Sequence, residues 1–173
     1  MSEKDNSSLN KEQEKPFPQI EDEINERLDN ELKESALKFI AHLSANQMTP
    51  LRWFGQGYWK IPGAPIGKKS LFGIHLYGFN PRAHNNGWVL WFFPGGYSGE
   101  ADEEVIKLVR DNVGYCVKCS SECSKGVDMT IFGREYTNMC CQFPVRIENP
   151  DDETLEKIKK LVDFRQEVLS RSN

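Results

Sequence analysis

The chain has 173 residues, of which 38% are hydrophobic and 11% aromatic, with a formal net charge of −4. That supports one sizeable core, and no apolar run approaches the roughly eighteen residues that suggest a membrane span. Residues 1–35 carry eleven acids and five bases, and the remainder fifteen acids and seventeen bases; the body is near neutral, no basic stripe stands out, and a nucleic-acid footprint is not expected.

Residues 1–19 read as a disordered acidic tail, rich in Glu, Lys, Asn and Ser, with Pro16 and Pro18 preventing a helix. The stretch from Met1 to Lys15 lacks the apolar centre of a secretory signal, so a cytoplasmic protein with no membrane association is expected. A single domain then occupies residues 20–173. Its first helix is expected from about Ile20 to Ala45, where Ile24, Leu28, Leu32, Ala36, Leu37, Ile40 and Leu43 form an apolar stripe. Asn46 and Pro50 end it.

Leu51 to Ile61 is dense in aromatics, with a short strand at Tyr58–Ile61. Pro62-Gly63-Ala64-Pro65 is a turn. Ser70–Phe79 alternates as a strand, and Asn80–Gly87 is a loop whose Asn86-Gly87 pair suits a positive-φ turn. Trp88–Phe93 is apolar throughout, as a central strand covered on both faces would be. A helix from about Ala101 to Val113 follows, with Glu100, Asp102, Glu103 and Glu104 crowding its start. Met129–Phe132, a turn at Gly133–Tyr136 and a return from Thr137 predict a hairpin. The last helix is expected from Pro150 to about Leu169, with Asn149 as N-cap and Pro150 at N1. No βαβ alternation appears. The reading is a single α+β domain: an antiparallel sheet of about five strands packed with three helices, with a cysteine-rich loop before a hairpin.

The chemistry concentrates between Tyr115 and Gln142, which holds all five cysteines, as Cys116-x2-Cys119-x3-Cys123 and then Cys140-Cys141. Divalent zinc takes four soft ligands in a tetrahedron, with sulfur at about 2.3 Å. Cys116 and Cys119 have knuckle spacing, Cys123 adds a third sulfur, and the hairpin returns a fourth. Cys140 shares strand parity with the polar Asn138, Gln142 and Arg146, whereas Cys141 shares it with Phe143, Val145 and Ile147. The metal ligands are therefore read as Cys116, Cys119, Cys123 and Cys140, and Cys141 as a small buried hydrophobe. An Fe–S cluster is the weaker alternative, because neither ferredoxin spacing is present. Disulfides lack an oxidising compartment. Redox-active thiols remain as an alternative, although the strand-then-helix context of a thioredoxin motif is missing. Lys118, Lys125 and Arg134 are placed to offset the thiolate charge.

This layout resembles a group of small uncharacterised bacterial α+β proteins. The matching residues are Trp59-Lys60, Gly67-Lys68-Lys69-Ser70, Tyr115-Cys116-x2-Cys119-x3-Cys123, Met129 to Tyr136, and Glu148-Asn149-Pro150-Asp151. The resemblance covers roughly residues 30 to 168. It implies four cysteines, matched by Cys116, Cys119, Cys123 and one of the Cys140-Cys141 pair. It carries no function.

Other chemistry is sparse. His42, His75 and His84 share no metal spacing, and His75 is the one placed on a strand among aromatics. Gly67-Lys68-Lys69-Ser70 fails the glycine spacing of a phosphate loop. Trp53, Tyr58, Trp59, His75, Trp88 and Trp91 are candidates for an aromatic pocket that could hold a small apolar or cationic ligand; the bland reading is that they are core. The expectation is a noncatalytic zinc-stabilised module that binds a small molecule or a protein partner. A thiol-redox or metal-dependent enzyme is the alternative, and a zinc-ribbon-type nucleic-acid binder the second.

Overall fold

The computed structural model describes residues 19–53, 57–62, 70–77, 87–117 and 126–171. The expected tail, the turn after Pro62, the greater part of the Asn80–Gly87 loop, and Cys119 and Cys123 lie outside these residues.

The fold is α+β. A five-stranded antiparallel sheet runs in the order β1-β2-β3-β4-β7, and β5 and β6 form a separate two-stranded sheet. The elements are α1 (Ile20–Arg27), α2 (Asn30–Ala45), β1 (Leu51–Arg52), β2 (Tyr58–Pro62), β3 (Ser70–Tyr77), β4 (Gly87–Phe92), α3 (Glu103–Asp111), β5 (Val127–Ile131), β6 (Arg134–Met139), β7 (Val145–Glu148) and α4 (Asp152–Arg171). Among the described residues no helix is long and apolar enough to cross a membrane.

The single helix expected over Ile20–Ala45 is two. Leu28 leaves α1 with extended backbone, Asp29 caps α2 in the β region, and Asn30 takes φ +47°. Asn tolerates that conformation, so the Asp-Asn pair breaks the helix without breaking its apolar stripe. Ile24 and Leu28 from one side and Ala36, Phe39, Ile40 and Leu43 from the other are buried in one core.

Helices α1, α2 and α4 pack on one face of the sheet, and α3 packs on α4. The covered face is built from alternate strand residues: Trp59 and Ile61 on β2, Phe72, Ile74 and Leu76 on β3, Trp88, Leu90 and Phe92 on β4, Val145 and Ile147 on β7. The Phe39 ring from α2 meets Phe72 at 5.9 Å and Trp88 at 6.0 Å.

Two buried charges tie helices to the sheet. Glu23 of α1 accepts hydrogen bonds from Arg52 (2.6 Å), the Gly57 amide (3.0 Å) and Trp59 Nε1 (3.1 Å). Arg165 of α4 is fully buried. Its guanidinium donates to the carbonyl oxygens of Gly95 (2.7 Å), Phe93 (2.9 Å) and Leu71 (3.0 Å), and lies 4.5 Å from the Tyr97 ring. It thereby satisfies three acceptors that the ends of β3 and β4 would otherwise strand.

The hairpin turns at Phe132-Gly133, earlier than the Gly133–Tyr136 turn expected, with φ +46° and +72°. Positive φ at both positions marks a two-residue turn matched to strand twist. Phe132 adopts this conformation because its ring is held between Tyr97 (6.1 Å) and Phe164 (5.4 Å). At the start of α4, Asp151 rather than Asn149 caps the helix: its Oδ1 accepts the Thr154 amide at 2.8 Å. Asn149, at φ +43°, instead exchanges hydrogen bonds with the Trp88 backbone, both at 2.8 Å.

Candidate metal centre and aromatic face

The segment after α3 joins the two sheets. Val113 bridges to Val145 at the edge of the large sheet, and Tyr115 bridges to Met139 at the end of β6. Around the Tyr115–Met139 pair, the Cys116 amide donates to Asn138 O and the Cys140 amide to Gly114 O, each at 2.8 Å. Alternation about that pair places Cys116 and Cys140 on the same side of the ladder, opposite Tyr115 and Met139. They are diagonal neighbours, a relation that separates backbones by about 7–8 Å.

The chain leaves this ladder after Cys116 and is described again at Gly126. A side chain at Gly126 would lie 2.6 Å from Asn138 atoms, so only glycine fits there. Both ends of the segment that carries Cys119 and Cys123 are thus fixed beside Asn138, two residues from Cys140. Each of those cysteines is three residues from a fixed end, a tether of about 10 Å at most. Cys119 and Cys123 themselves lie outside the described residues.

The Phe143 amide donates to Cys140 Sγ at 3.4 Å, a contact that orients the sulfur. Cys141 is exposed, not buried as expected. The reason is that β6 ends at Met139 and a turn occupies the residues before β7, so the alternation of Val145 and Ile147 does not extend back to it. Arg134 also departs from expectation. It stands at the far end of β6 with its guanidinium 5.2 Å from the Tyr136 ring, away from the cysteines. Lys118 and Lys125 lie outside the described residues. Among the described residues no three His, Cys, Asp or Glu side chains gather to hold an ion; two of the four expected ligands are not among them.

The six aromatic candidates fall on opposite faces of the sheet. Trp59 and Trp88 are core residues beneath the helices. Trp53, Tyr58, His75 and Trp91 belong to the other, outer face, where Phe93 and Phe143 join them. His75 stacks on Tyr58 at 3.7 Å and meets Trp91 at 5.2 Å. Trp91 meets Phe143 at 4.5 Å, and Trp53 meets Phe93 at 5.5 Å and Phe143 at 6.1 Å. Burial, reinforced by the Arg146 and Arg27 guanidiniums, lowers the His75 pKa to about 4, so this imidazole is neutral at pH 7. His42 lies near the end of α2, where its carbonyl accepts from the Asn46 side chain at 2.9 Å. His84 and Gly67-Lys68-Lys69 lie outside the described residues.

Sequence reasoning passed over Phe93, Phe143, Glu23 and Arg165. A signal existed for the last two. Glu23 falls at the i+3 position from Ile20, and Arg165 lies between Leu161 and Leu169 at i+4 spacing, both on apolar stripes. Phe143 connects the two regions of interest: its amide holds the Cys140 sulfur and its ring lies on Trp91. No protein-family model matches the chain, and no curated protein or solved structure is significantly similar to it.

Proposed function

We propose that this chain is a noncatalytic binding module whose cysteine segment holds one zinc ion through Cys116, Cys119, Cys123 and Cys140. The observation that carries the reading is the placement of Cys116 and Cys140 on one side of the Tyr115–Met139 ladder, beside both fixed ends of the intervening segment. Four sulfurs close a tetrahedral site and leave no open position for substrate, which favours a structural over a catalytic ion. When bound, the ion would supply cross-linking. The chain's own residues supply the amide donor to Cys140 and the turn that carries Phe143 onto Trp91.

The hydrophobic core takes in the hairpin residues Ile131, Phe132, Tyr136 and Met139 but none of these cysteines. Chelation of the purified protein should therefore loosen residues 115–117, 126–128 and 140–143 without unfolding the domain. Hydrogen exchange with and without chelator reads this directly. Fast exchange confined to those residues supports the proposal. Identical exchange patterns, or global unfolding, count against it.

A further inference from the structure

We infer that the outer face of the sheet is a binding site for a flat aromatic anion, and that the Trp53 indole occupies its place in this structure. The inference rests on the binding-module reading above but not on the zinc.

Trp53 follows β1, at one edge of the sheet, and Phe93 follows β4. Three strand spacings, about 14 Å, separate those two strands, yet their rings meet at 5.5 Å. The two side chains therefore reach toward each other across the sheet face, the indole inward from the β1 edge and the Phe93 ring back to Gly73 of β3. Gly73 is paired with Lys60 on one side and Trp91 on the other. A Cβ at Gly73 would meet Trp59 O at 3.2 Å and the Phe93 ring at 3.9 Å. The one position in the row without a side chain is thus approached by the Phe93 ring, and the indole packs in turn against Phe93. Trp53 remains 37% exposed despite its contacts with Phe93 and Phe143, so it covers those rings while still facing solvent.

Charge decides what could replace it. The row runs from Leu51 through Lys60, Gly73 and Trp91 to Arg146, so a cation stands on either side of the Gly73–Trp91 pair. Arg146 pairs with Glu148 at 2.8 Å. Lys60 forms no ion pair with a described carboxylate. His75, buried beside Trp91, is neutral and adds no charge at pH 7. An aromatic ring that carries a carboxylate or phosphate could take the position of the indole and place its anion near Lys60, a contact the neutral indole cannot make. A cationic ligand would meet the Lys60 ammonium, of its own sign, with no described carboxylate beside it to offset the charge.

The test is calorimetric titration of the full chain and of Trp53→Ala with 2-naphthoate, with adenosine monophosphate, and with the neutral 2-naphthylmethanol. Removing the competing indole should tighten naphthoate binding about tenfold, and naphthoate should bind about tenfold more tightly than the alcohol. Lys60→Ala in the Trp53→Ala background should erase that preference for the anion, and Lys60→Arg should retain it. Binding of the nucleotide alone would assign the anion as a phosphate, and of naphthoate alone as a carboxylate. Near-ultraviolet circular dichroism checks that Trp53→Ala folds, and Trp53→Leu serves if it does not. Absence of saturable binding by either variant, equal affinity for charged and neutral rings, or indifference to Lys60→Ala overturns the inference. Zinc content measured on the same samples reads the metal reading separately.

Discussion

His75 offers a quantitative test of the outer face as a water-excluding layer. Its imidazole is 1% exposed, stacked on Tyr58, with a pKa lowered from 6.5 to about 4. A base whose folded pKa is depressed takes up its proton in the unfolded chain first. Above pH 6.5 both states hold it neutral and the group does not affect stability. As pH falls from about 6.5 to about 4, the unfolded state binds a proton that the folded state refuses, and stability declines. A difference of that size corresponds to a loss on the order of 3 kcal/mol, complete below pH 4. Other groups titrate in the same window, so the comparison is with His75→Phe, which keeps a ring on Tyr58 and has no proton to gain. Urea unfolding of both proteins between pH 7 and pH 4 gives the difference curve. The wild type should lose on the order of 3 kcal/mol relative to the variant over that window. Parallel curves, or an imidazole that titrates near 6.5 by NMR, would refute the reasoning.

Three further outcomes follow from the same packing. Arg165→Met keeps volume on α4 but strands the carbonyls of Leu71, Phe93 and Gly95, so urea unfolding should show a loss of at least about 3 kcal/mol; a change under 1 kcal/mol, on the order of one ordinary hydrogen bond, would mean those carbonyls are solvated. Glu23→Gln leaves Arg52 without its carboxylate and weakens the bonds from Gly57 and Trp59, and should cost about 2 kcal/mol, read by thermal melting; a stabilised variant would contradict the role of Glu23 in tying α1 to the sheet. Phe143→Ala should shift Trp fluorescence, because its ring lies 4.5 Å from Trp91, and an unchanged spectrum would place Phe143 away from that ring.

Much of the architecture was legible because periodicity reports burial. The alternation of Phe72, Ile74 and Leu76 placed β3, and the continuous apolar run from Trp88 placed β4 in the interior of the sheet, away from its edges. What periodicity cannot report is a change in backbone direction that preserves the stripe. That is why the break at Leu28–Asn30 was invisible: the apolar spacing runs through it while one Asn takes a left-handed conformation. The hairpin's separation from the main sheet was equally hidden, since strand pairing depends on partners far along the chain. Parity failed for Cys141 because it was extended past the end of β6 into a turn. The choice of Cys140 nevertheless keeps its place as a proposal, on other grounds: the Tyr115–Met139 register and the Phe143 amide on its sulfur. The aromatic candidates were grouped by proximity in sequence, and strand alternation then divided Trp59 and Trp88 from Trp53, Tyr58, His75 and Trp91.

The central claim, a four-sulfur zinc site beside the Tyr115–Met139 ladder, is tested most directly by metal content. Protein purified anaerobically under reducing conditions should contain about one zinc per chain by elemental analysis. Cys119→Ser and Cys140→Ser should lose stoichiometric metal, and Cys141→Ala should retain it. Metal-free wild-type protein would contradict the site itself, and retention by Cys140→Ser together with loss by Cys141→Ala would move the fourth ligand to the exposed neighbour.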